Sequence, residues 1–417
     1  QTCALPIYIK NVKIYYIFTA KLLLKKLKEP ILKFIRNPAY ISLIYIISAI
    51  FSTLGKYTKG PSAYNNYLIF KNVFYNTIHQ KNLYTEYPNL YFDVNHYGIF
   101  FSAVIMPFAL MPDWQGIVLW NVFNAMVFLY AIKKLPFSEH YKSYFAWLCL
   151  QEYITSSVSL QFNVALAGLI ILSAVYIYEK KETKSAMAML IGFFVKIYGI
   201  VGLSQFFFIK NKQKFILSVG VLLVLFFCIP MLYSNPQFVV EAYKDWYFSL
   251  VEKNSVNADL NSYQDISIMG FFRRILHNPQ ISNLYFYAVG LPLFALPYLR
   301  VKQYGYMAFR MMMLASTLVF LVLFSSSSES PTYIIAVAGV MLWFLLQEKK
   351  DGIAIFLLIF VIVFTCFAMS DLFPRFIKQN YIIKYSIKSL PCAVVWLRMT
   401  YDLLTKNFEK NDVISLQ

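Results

Sequence analysis

The chain has 417 residues, of which 59% are hydrophobic, 19% are aromatic and only 14% are charged. Soluble domains carry about 25% charged residues, so this composition excludes a soluble globular protein and indicates an all-α polytopic membrane protein. The formal net charge is +18. Such an excess is typical of basic cytoplasmic loops, and because the cations form no continuous face, nucleic acid is not an expected partner.

The amino-terminal region divides into two parts. Residues 1–7, QTCALPI, are expected to be a non-native remnant of a sequencing adapter. Residues 8–37 hold seven lysines and Arg36 against a single acid, Glu29, which predicts a basic cytoplasmic segment. We expect residues 38–405 to form one transmembrane domain and residues 406–417 to form a tail, with both termini in the cytoplasm.

Apolar segments recur along the rest of the chain and predict membrane spans. The first is 39–54, and the others are 115–132, 142–158, 162–178, 185–208, 215–233, 284–300, 306–324, 331–347, 352–369 and 387–404. Basic loops separate several of them, namely KKLPFSEHYK, EKKETK, KNKQK, RVK and QEKKDG. These loops all lie on the cytoplasmic side if one further apolar segment does not cross and another crosses twice.

The segment that does not cross is Tyr97–Met111. It is shorter than the roughly 20 apolar residues of a spanning helix, and Pro107 interrupts it. Irregular backbone at membrane depth is tolerated only against protein or water. We therefore predict that this segment is re-entrant or interfacial and that it lines a cavity.

The segment that crosses twice is Ala186–Phe208. It is too short for two full helices, so we predict two short helices that turn at residues 196–199. Lys196 then lies at the tip of a hairpin, within reach of the outer face. With this hairpin the total becomes about twelve membrane segments.

Two outer loops are large, residues 55–113 and 234–283. Each holds apolar residues at helical spacing, and Asn235 followed by Pro236 is typical of a helix start. We predict that both helices lie on the membrane surface. The two apolar stripes are Tyr67, Phe70, Phe74 and Ile78, and Val239, Tyr243, Trp246 and Leu250.

The cations of interest near the outer face are Lys196, Arg273 and Arg274. A charge at membrane depth costs about 2.5–3.5 kcal/mol, so Lys196 either binds a phosphate or extends from a helix end into the headgroups. The adjacent arginines either clamp a phosphate through paired planar donors or contact lipid headgroups.

Three carboxylates and one histidine are candidates for acid–base chemistry. Glu86, Asp93 and His96 lie in the first outer loop, and Glu329 lies in FSSSSESPTY between two spans. A carboxylate can remove a proton from an attacking hydroxyl, with His96 assisting. The alternatives are loop polarity near the lipid interface for Asp93 and His96, and helix capping for Glu329.

Gln161 and Asn163, in LQFN, lie where a short outer turn meets the next span. Their amides either bind sugar hydroxyls or close the turn. The chain has no Walker loop, GxSxG elbow or HExxH motif, and its five cysteines have no metal-binding spacing. Hydrolases of those classes are therefore not supported, and no metal or other cofactor is predicted.

Several motifs occur in a distinctive order between residues 60 and 400. They are NNYLIFKNVFYNTIHQKNLY, YFDVNHYGIFFSAVIMPFALMP, LWNVFN, LQFNVALAGLIILSAVYI, AMLIGFFVKIYGIVGL, SIMGFFRRIL and FSSSSESPTYIIAVAGVMLWF. This order resembles glycosyltransferase family 87 (DUF2029-like) of the GT-C superfamily. The fourth motif is similar to that family's Gly-Gln-x-Asn element, and the fifth is similar to its lysine-bearing hairpin.

The resemblance implies an enzyme of the bacterial cytoplasmic (inner) membrane that needs no cofactor. It implies transfer of a mannose-like hexose from a polyprenyl-phosphate sugar to a lipid or glycan acceptor at the outer face. A carboxylate takes the acceptor proton while cations hold the leaving phosphate. The implied roles are catalysis for Asp93, Glu329 and Glu86, phosphate binding for Lys196, Arg273 and Arg274, and sugar or acceptor binding for Asn65, Asn66, His96, Gln161 and Asn163.

One departure from the family leaves alternatives open. The family usually carries an aspartate where the first outer loop begins its helix, and this chain has Asn65 and Asn66 there. The protein is then an enzyme with another base, a catalytically impaired relative, or a carrier or flippase for a lipid-linked sugar. A carrier needs a polar path through the midplane, whereas the predicted spans are almost free of ionisable groups apart from Lys196, which favours an enzyme.

Overall fold

The computed structural model describes residues 29–30, 32–262 and 264–409. The protein is 75% helical, and no strand occurs among the described residues. The expectations for residues 1–7, for most of the basic segment 8–37 and for most of the tail 406–417 lie outside the described residues.

The α-helices of eight or more residues are numbered here in chain order. They are α1 (Pro38–Tyr57), α2 (Asn65–Ile78), α3 (Phe101–Ala109), α4 (Asp113–Lys134), α5 (Glu139–Val158), α6 (Asn163–Tyr178), α7 (Glu182–Val195), α8 (Lys212–Cys228), α9 (Pro236–Asn257), α10 (Ile268–Ile275), α11 (Asn283–Ala295), α12 (Met307–Leu323), α13 (Tyr333–Leu345), α14 (Gly352–Val361) and α15 (Ser389–Thr405). A 3₁₀ helix, Ile197–Phe208, follows α7.

Every apolar segment that the sequence predicts as a span is helical over most of its length. Within the described residues, three helices are long and apolar enough to cross a membrane: Pro38–Tyr57, Asp113–Lys134 and Lys212–Leu232. The protein is therefore an all-helical membrane protein, and the total of about twelve crossings stays a prediction. Shorter apolar helices are Asn163–Tyr178, Ile197–Phe208, Asn283–Leu299, Met307–Leu323, Ser330–Leu345 and Gly352–Cys366.

The predicted start of α9 is confirmed. The side chain of Asn235 accepts a hydrogen bond of 2.8 Å from the backbone N–H of Gln237, and Pro236 occupies the first helical position. Proline suits that position because its missing N–H would have no partner there in any case. The same Asn-Pro pair, Asn37 and Pro38, starts α1.

Two helices form the centre of the protein. All residues of α6 from Asn163 to Ile177 are buried, and so are all residues of α13 from Tyr333 to Trp343. A helix that is apolar on all sides is typical of a protein interior. Both helices begin next to candidate site residues, since Gln161 precedes α6 and Glu329 precedes α13, so the rigid centre positions those side chains.

The apolar segment 186–208 divides at Lys196, as predicted. Helix α7 ends at Val195, Lys196 is extended, and the 3₁₀ helix runs back against α7. The approach is so close that a Cβ on Gly199 would lie 2.1 Å from the backbone nitrogen of Phe193. Only glycine fits at that point, and the close turn presents Lys196 at the end of the hairpin.

Both predicted amphipathic helices exist, but most of their predicted apolar residues are covered by protein, with Ile78 of α2 exposed and Tyr243 and Leu250 of α9 half-buried. Tyr67, Phe70 and Phe74 of α2 are buried, and so are Val239 and Trp246 of α9. The helical periodicity therefore reports packing on neighbouring helices rather than contact with lipid. Where either helix lies relative to a membrane stays a prediction.

Charged side chains do occur inside the predicted spans, contrary to the expectation from sequence. Glu152 of α5 is fully buried, and its Oε1 lies 2.7 Å from Nζ of Lys388. Asp402 of α15 is also fully buried and accepts a hydrogen bond of 3.0 Å from Trp343. Both acids lie within long apolar segments, so the average hydropathy of those segments does not reveal them. Lys388 and Trp343 bond to the two carboxylates and offset the cost of burying them.

Candidate active site

A cavity of about 350 Å³ brings together side chains from distant parts of the sequence. Its wall is made by α2, the loop before α3, the turn before α6, the Lys196 turn, α9 and the serine-rich turn before α13. Segments more than 200 residues apart therefore meet in one place. Six residues that the sequence singles out line the cavity: Asn66, Asp93, His96, Gln161, Lys196 and Glu329.

A chain of hydrogen bonds connects Lys196 with Glu329. Nζ of Lys196 donates to Oδ1 of Asn163 at 2.9 Å, and Nδ2 of Asn163 donates to Oε1 of Gln161 at 2.7 Å. Nε2 of Gln161 then donates to Oε2 of Glu329 at 3.1 Å. A cation at one end and a carboxylate at the other fix the orientation of both amides, because reversing either amide would place like groups together.

Aromatic rings surround the ammonium group of Lys196. Its Nζ lies 4.9 Å from the ring centre of Tyr198 and 5.9 Å from that of Tyr97. Both distances are within the range of cation–π attraction. Lys196 is thus directed into the cavity, and the alternative of a lysine extended into headgroups does not describe its position.

Glu329 is not a helix cap. Its side chain makes no capping hydrogen bond, although it occupies the N-cap position of the short helix Ser330–Thr332. Its Oε2 accepts from Gln161, and its Oε1 lies 3.5 Å from Nζ of Lys253. The same Nζ donates to Oε1 of Gln264 at 2.5 Å. Glu329 therefore joins the amide chain to a second lysine.

Asp93 is held in an uncommon backbone conformation. Its φ is +77°, a region that non-glycine residues rarely adopt and that clusters at functional sites. Asn65 fixes the preceding residue, since its side chain accepts from the N–H of Phe92 and donates to the carbonyl of Phe92. Asn65 is a positioning residue, and the exposed carboxylate of Asp93 reaches the cavity that Asn66 also lines.

His96 is a neutral imidazole at neutral pH. Its Nδ1 lies 2.9 Å from Oγ of Ser249, and its carbonyl accepts from the indole N–H of Trp246 at 2.9 Å. Burial lowers the pKa of His96 to about 4, with a smaller contribution from the positive charge of Lys253, while Asp93 and Glu329 act in the opposite direction. A neutral ring can donate and accept hydrogen bonds with sugar hydroxyls.

The lowered pKa of His96 predicts loss of stability on acidification. Between pH 6.5 and pH 4 the unfolded chain binds a proton at this residue and the folded chain does not, so stability falls as the pH falls. From pH 7 to pH 5 we expect a loss of about 2 kcal/mol at this residue. Unfolding temperatures in detergent should therefore depend less on pH for His96→Asn, whose amide can replace Nδ1. Equal pH dependence in both proteins would contradict the prediction.

Five of the eleven candidates do not line the cavity. Asn65 and Asn163, predicted to contact sugar or acceptor, bond instead to residues in or beside the wall, and the other three lie elsewhere. Glu86 is exposed in the loop between α2 and α3 and does not line the cavity. Arg273 and Arg274 are only 4% exposed. Arg273 bonds to Asp265 at 2.9 Å and to the carbonyl of Ile281 at 3.0 Å, while Arg274 donates to the carbonyl of Asp265 at 2.7 Å. The two arginines therefore hold the segment around Asp265 and Ile281 together. These contacts take the place of both the predicted phosphate clamp and the predicted headgroup contact.

The sequence reading missed Lys253 and Gln264 as cavity residues. A signal for Lys253 exists on α9, where Ser249, Lys253 and Asn257 recur every four residues and therefore share one face. All three point towards the site: Ser249 bonds to His96, Lys253 faces Glu329, and Asn257 donates to the carbonyl of Ser326. The apolar stripe of the same helix is the stronger periodic signal in the sequence, and it lies beside this polar face.

A larger groove exists but carries none of the predicted chemistry. It measures about 570 Å³ and lies between α1, α4 and α5, mostly against apolar side chains. It is also more open than the 350 Å³ cavity. Because no candidate residue from the sequence lines it, the smaller cavity is the candidate active site.

Comparison with known proteins identifies the family. The family model of glycosyltransferase family 87 matches residues 95–326, which is more than half of the chain. The chain belongs to glycosyltransferase family 87. No curated protein matches it.

Membership of family 87 makes the protein a membrane glycosyltransferase. The matched region of this family 87 chain contains His96, Gln161, Lys196 and Lys253. The two carboxylates of the cavity lie just outside it, with Asp93 before residue 95 and Glu329 after residue 326. Both lysines of the cavity and the amides of Gln161 and Gln264 thus lie within the matched region, whereas Asn66 and the two carboxylates lie outside it.

Proposed function

We propose that the protein transfers a mannose-like hexose from a polyprenyl-phosphate sugar to a lipid or glycan acceptor. The reaction takes place at the outer face of the bacterial cytoplasmic membrane. The observation that carries this proposal is the shared cavity: it contains a lysine for the donor phosphate, carboxylates for the acceptor proton, and amide and imidazole groups for sugar hydroxyls. Its wall holds polar groups of every type that glycosyl transfer from a phosphate requires.

The proposed step is a direct displacement. The acceptor hydroxyl oxygen forms a bond to the anomeric carbon of the sugar, and its proton passes to the carboxylate of Asp93. The bond between that carbon and the phosphate oxygen breaks, and its electron pair stays on the phosphate. Lys196 holds this phosphate, which leaves as polyprenyl phosphate, and Asn66, His96 and Gln161 position the sugars.

Asp93 is a better candidate for the base than Glu329. Both carboxylates line the cavity, but Glu329 faces Lys253 and accepts from Gln161. Asp93 makes no ion pair among the described residues, and its one hydrogen bond from a neighbour is from the adjacent N–H of Val94, at 2.8 Å. An unpaired carboxylate is the more available proton acceptor. It also supplies the acid that Asn65 and Asn66 lack.

A transfer assay tests this function. The full chain is reconstituted in liposomes with labelled polyprenyl-phosphate sugars, and incorporation into lipid and glycan acceptors is measured. We expect transfer by the wild type, and a loss of about tenfold to hundredfold in Lys196→Met, because a charge-assisted contact contributes about 1.5–3 kcal/mol. Lys81→Met, which removes an exposed lysine of the first outer loop, is the matched control.

Two results would count against the proposal in different ways. Transfer from a sugar nucleotide but from no polyprenyl-phosphate sugar would reject the donor class. Full activity of Lys196→Met with a polyprenyl-phosphate sugar would keep the donor class and reject the phosphate site.

A further inference from the structure

Lys253 is a second cation in the candidate active site. Only 12% of its side chain is exposed, and its Nζ lies between Gln264 at 2.5 Å and Glu329 at 3.5 Å. Lys196 lines the same cavity from the turn after α7. Glu329 thus faces one lysine directly and is connected with the other through two amides.

Contacts on both sides of Lys253 fix its helix to the site. One turn before it, Ser249 of α9 contacts the ring of His96, and two turns before it, Trp246 donates to the carbonyl of His96. One turn after it, Asn257 donates to the carbonyl of Ser326 at 3.1 Å. The amine of Lys253 is therefore held over the cavity from a docked helix and is not a mobile surface group.

The charge of the phosphate changes during the proposed reaction. In a polyprenyl-phosphate sugar the phosphate is a diester and carries one negative charge. When the bond to the sugar breaks, it becomes a monoester, which carries between one and two charges at neutral pH. A cation that meets this additional charge stabilises the transition state more than the bound donor.

We propose that Lys253 binds the leaving phosphate and stabilises the charge that develops on it, while Lys196 binds the phosphate of the intact donor. This inference rests on the proposed function. Gln264 and Glu329 hold the ammonium group in the cavity until the donor arrives. The ligand class of the Lys253 subsite is a phosphate monoester attached to a lipid.

The test compares three variants of the full chain in lipid nanodiscs. Lys253→Met removes the charge, Lys253→Arg keeps it, and Lys244→Met removes an exposed lysine from the same helix as the control. We expect Lys253→Met to lower kcat about tenfold to hundredfold and to weaken inhibition by polyprenyl phosphate by about tenfold or more. The KM for the donor should change by less than about threefold. Lys253→Arg, which keeps the charge with a larger head group, should retain more activity than Lys253→Met. Lys244→Met should stay close to the wild type.

Direct binding of polyprenyl phosphate separates this inference from the proposed function, because it needs no acceptor. If Lys253→Met binds the probe as tightly as the wild type, Lys253 only positions Glu329, and the inference is overturned while the function stands. If the wild type does not bind the probe, the inference and the donor class are both rejected.

Two further probes distinguish the source of the phosphate. Inorganic phosphate carries the charge without a lipid, and phosphatidic acid in vesicles carries a phosphate monoester on a different lipid. We expect both to compete with polyprenyl phosphate only weakly. Equal, Lys253-dependent affinity for phosphatidic acid would reveal a general headgroup site and overturn the assignment to the leaving group.

Discussion

Asp93→Asn is expected to lower turnover by about 10²–10⁴-fold and to leave donor binding nearly unchanged, the effect of removing a general base. Asparagine has almost the same size as aspartate but cannot accept the acceptor proton. It also retains the tolerance of aspartate for the positive φ of this position, so the loop should keep its conformation. The measurement is kcat and KM for transfer from a polyprenyl-phosphate sugar.

Removing the charge of two other carboxylates, Glu329 and Glu252, tests whether the loss of turnover is specific to Asp93. Glu329→Gln should lose less activity than Asp93→Asn, because glutamine keeps hydrogen bonds near Gln161 and Lys253 and loses only the charge. Glu252→Gln, on an exposed position of α9 next to Lys253, should keep the activity of the wild type. If Glu329→Gln lost more than Asp93→Asn, the base would be Glu329 and Asp93 would have a supporting role.

The membrane helices were predictable because their signal is local. Runs of apolar residues bounded by basic loops predict helices wherever they occur. The length of the segment 186–208 and the charge of its flanking loops predict a break near Lys196, where the structure has one. The Asn235–Pro236 start of α9 was equally local. Periodicity predicted the apolar faces of α2 and α9, but it does not distinguish a lipid surface from a protein surface.

The sequence predicts individual residues of the candidate site but not the contacts between them. Lys196, Gln161 and Glu329 are recognisable in the sequence because charged or amide groups beside apolar spans carry a free-energy cost and so indicate a functional role. Their connection depends on contacts between residues 168 and 33 positions apart in sequence, which no local pattern encodes. For Arg273 and Arg274 the local pattern is misleading. Two adjacent arginines predict anion binding, yet Arg273 bonds to the carboxylate of Asp265 and Arg274 donates to its backbone carbonyl.

Lys388→Met is expected to destabilise the protein by about 3–5 kcal/mol, the cost of breaking a buried ion pair. The side chains of Lys388 and Glu152 are 1% and 0% exposed, so the carboxylate would lose its cationic partner in a buried environment. Unfolding temperature in detergent is the measurement. Lys406→Met, whose ion pair with Asp402 is partly exposed, should lose much less.

The double variant Glu152→Leu/Lys388→Met separates the effect of this ion pair on protein stability from its effect on the position of Glu329. Replacing both partners with apolar side chains removes the unpaired charge, so stability should return close to that of the wild type. Transfer activity should be below that of the wild type, because Nζ of Lys388 also donates to Oγ of Ser330 at 3.0 Å, and Ser330 directly follows Glu329. Lys388 would then be a positioning residue for the carboxylate of the cavity. A double variant that is both stable and fully active would show that the ion pair has no part in placing Glu329.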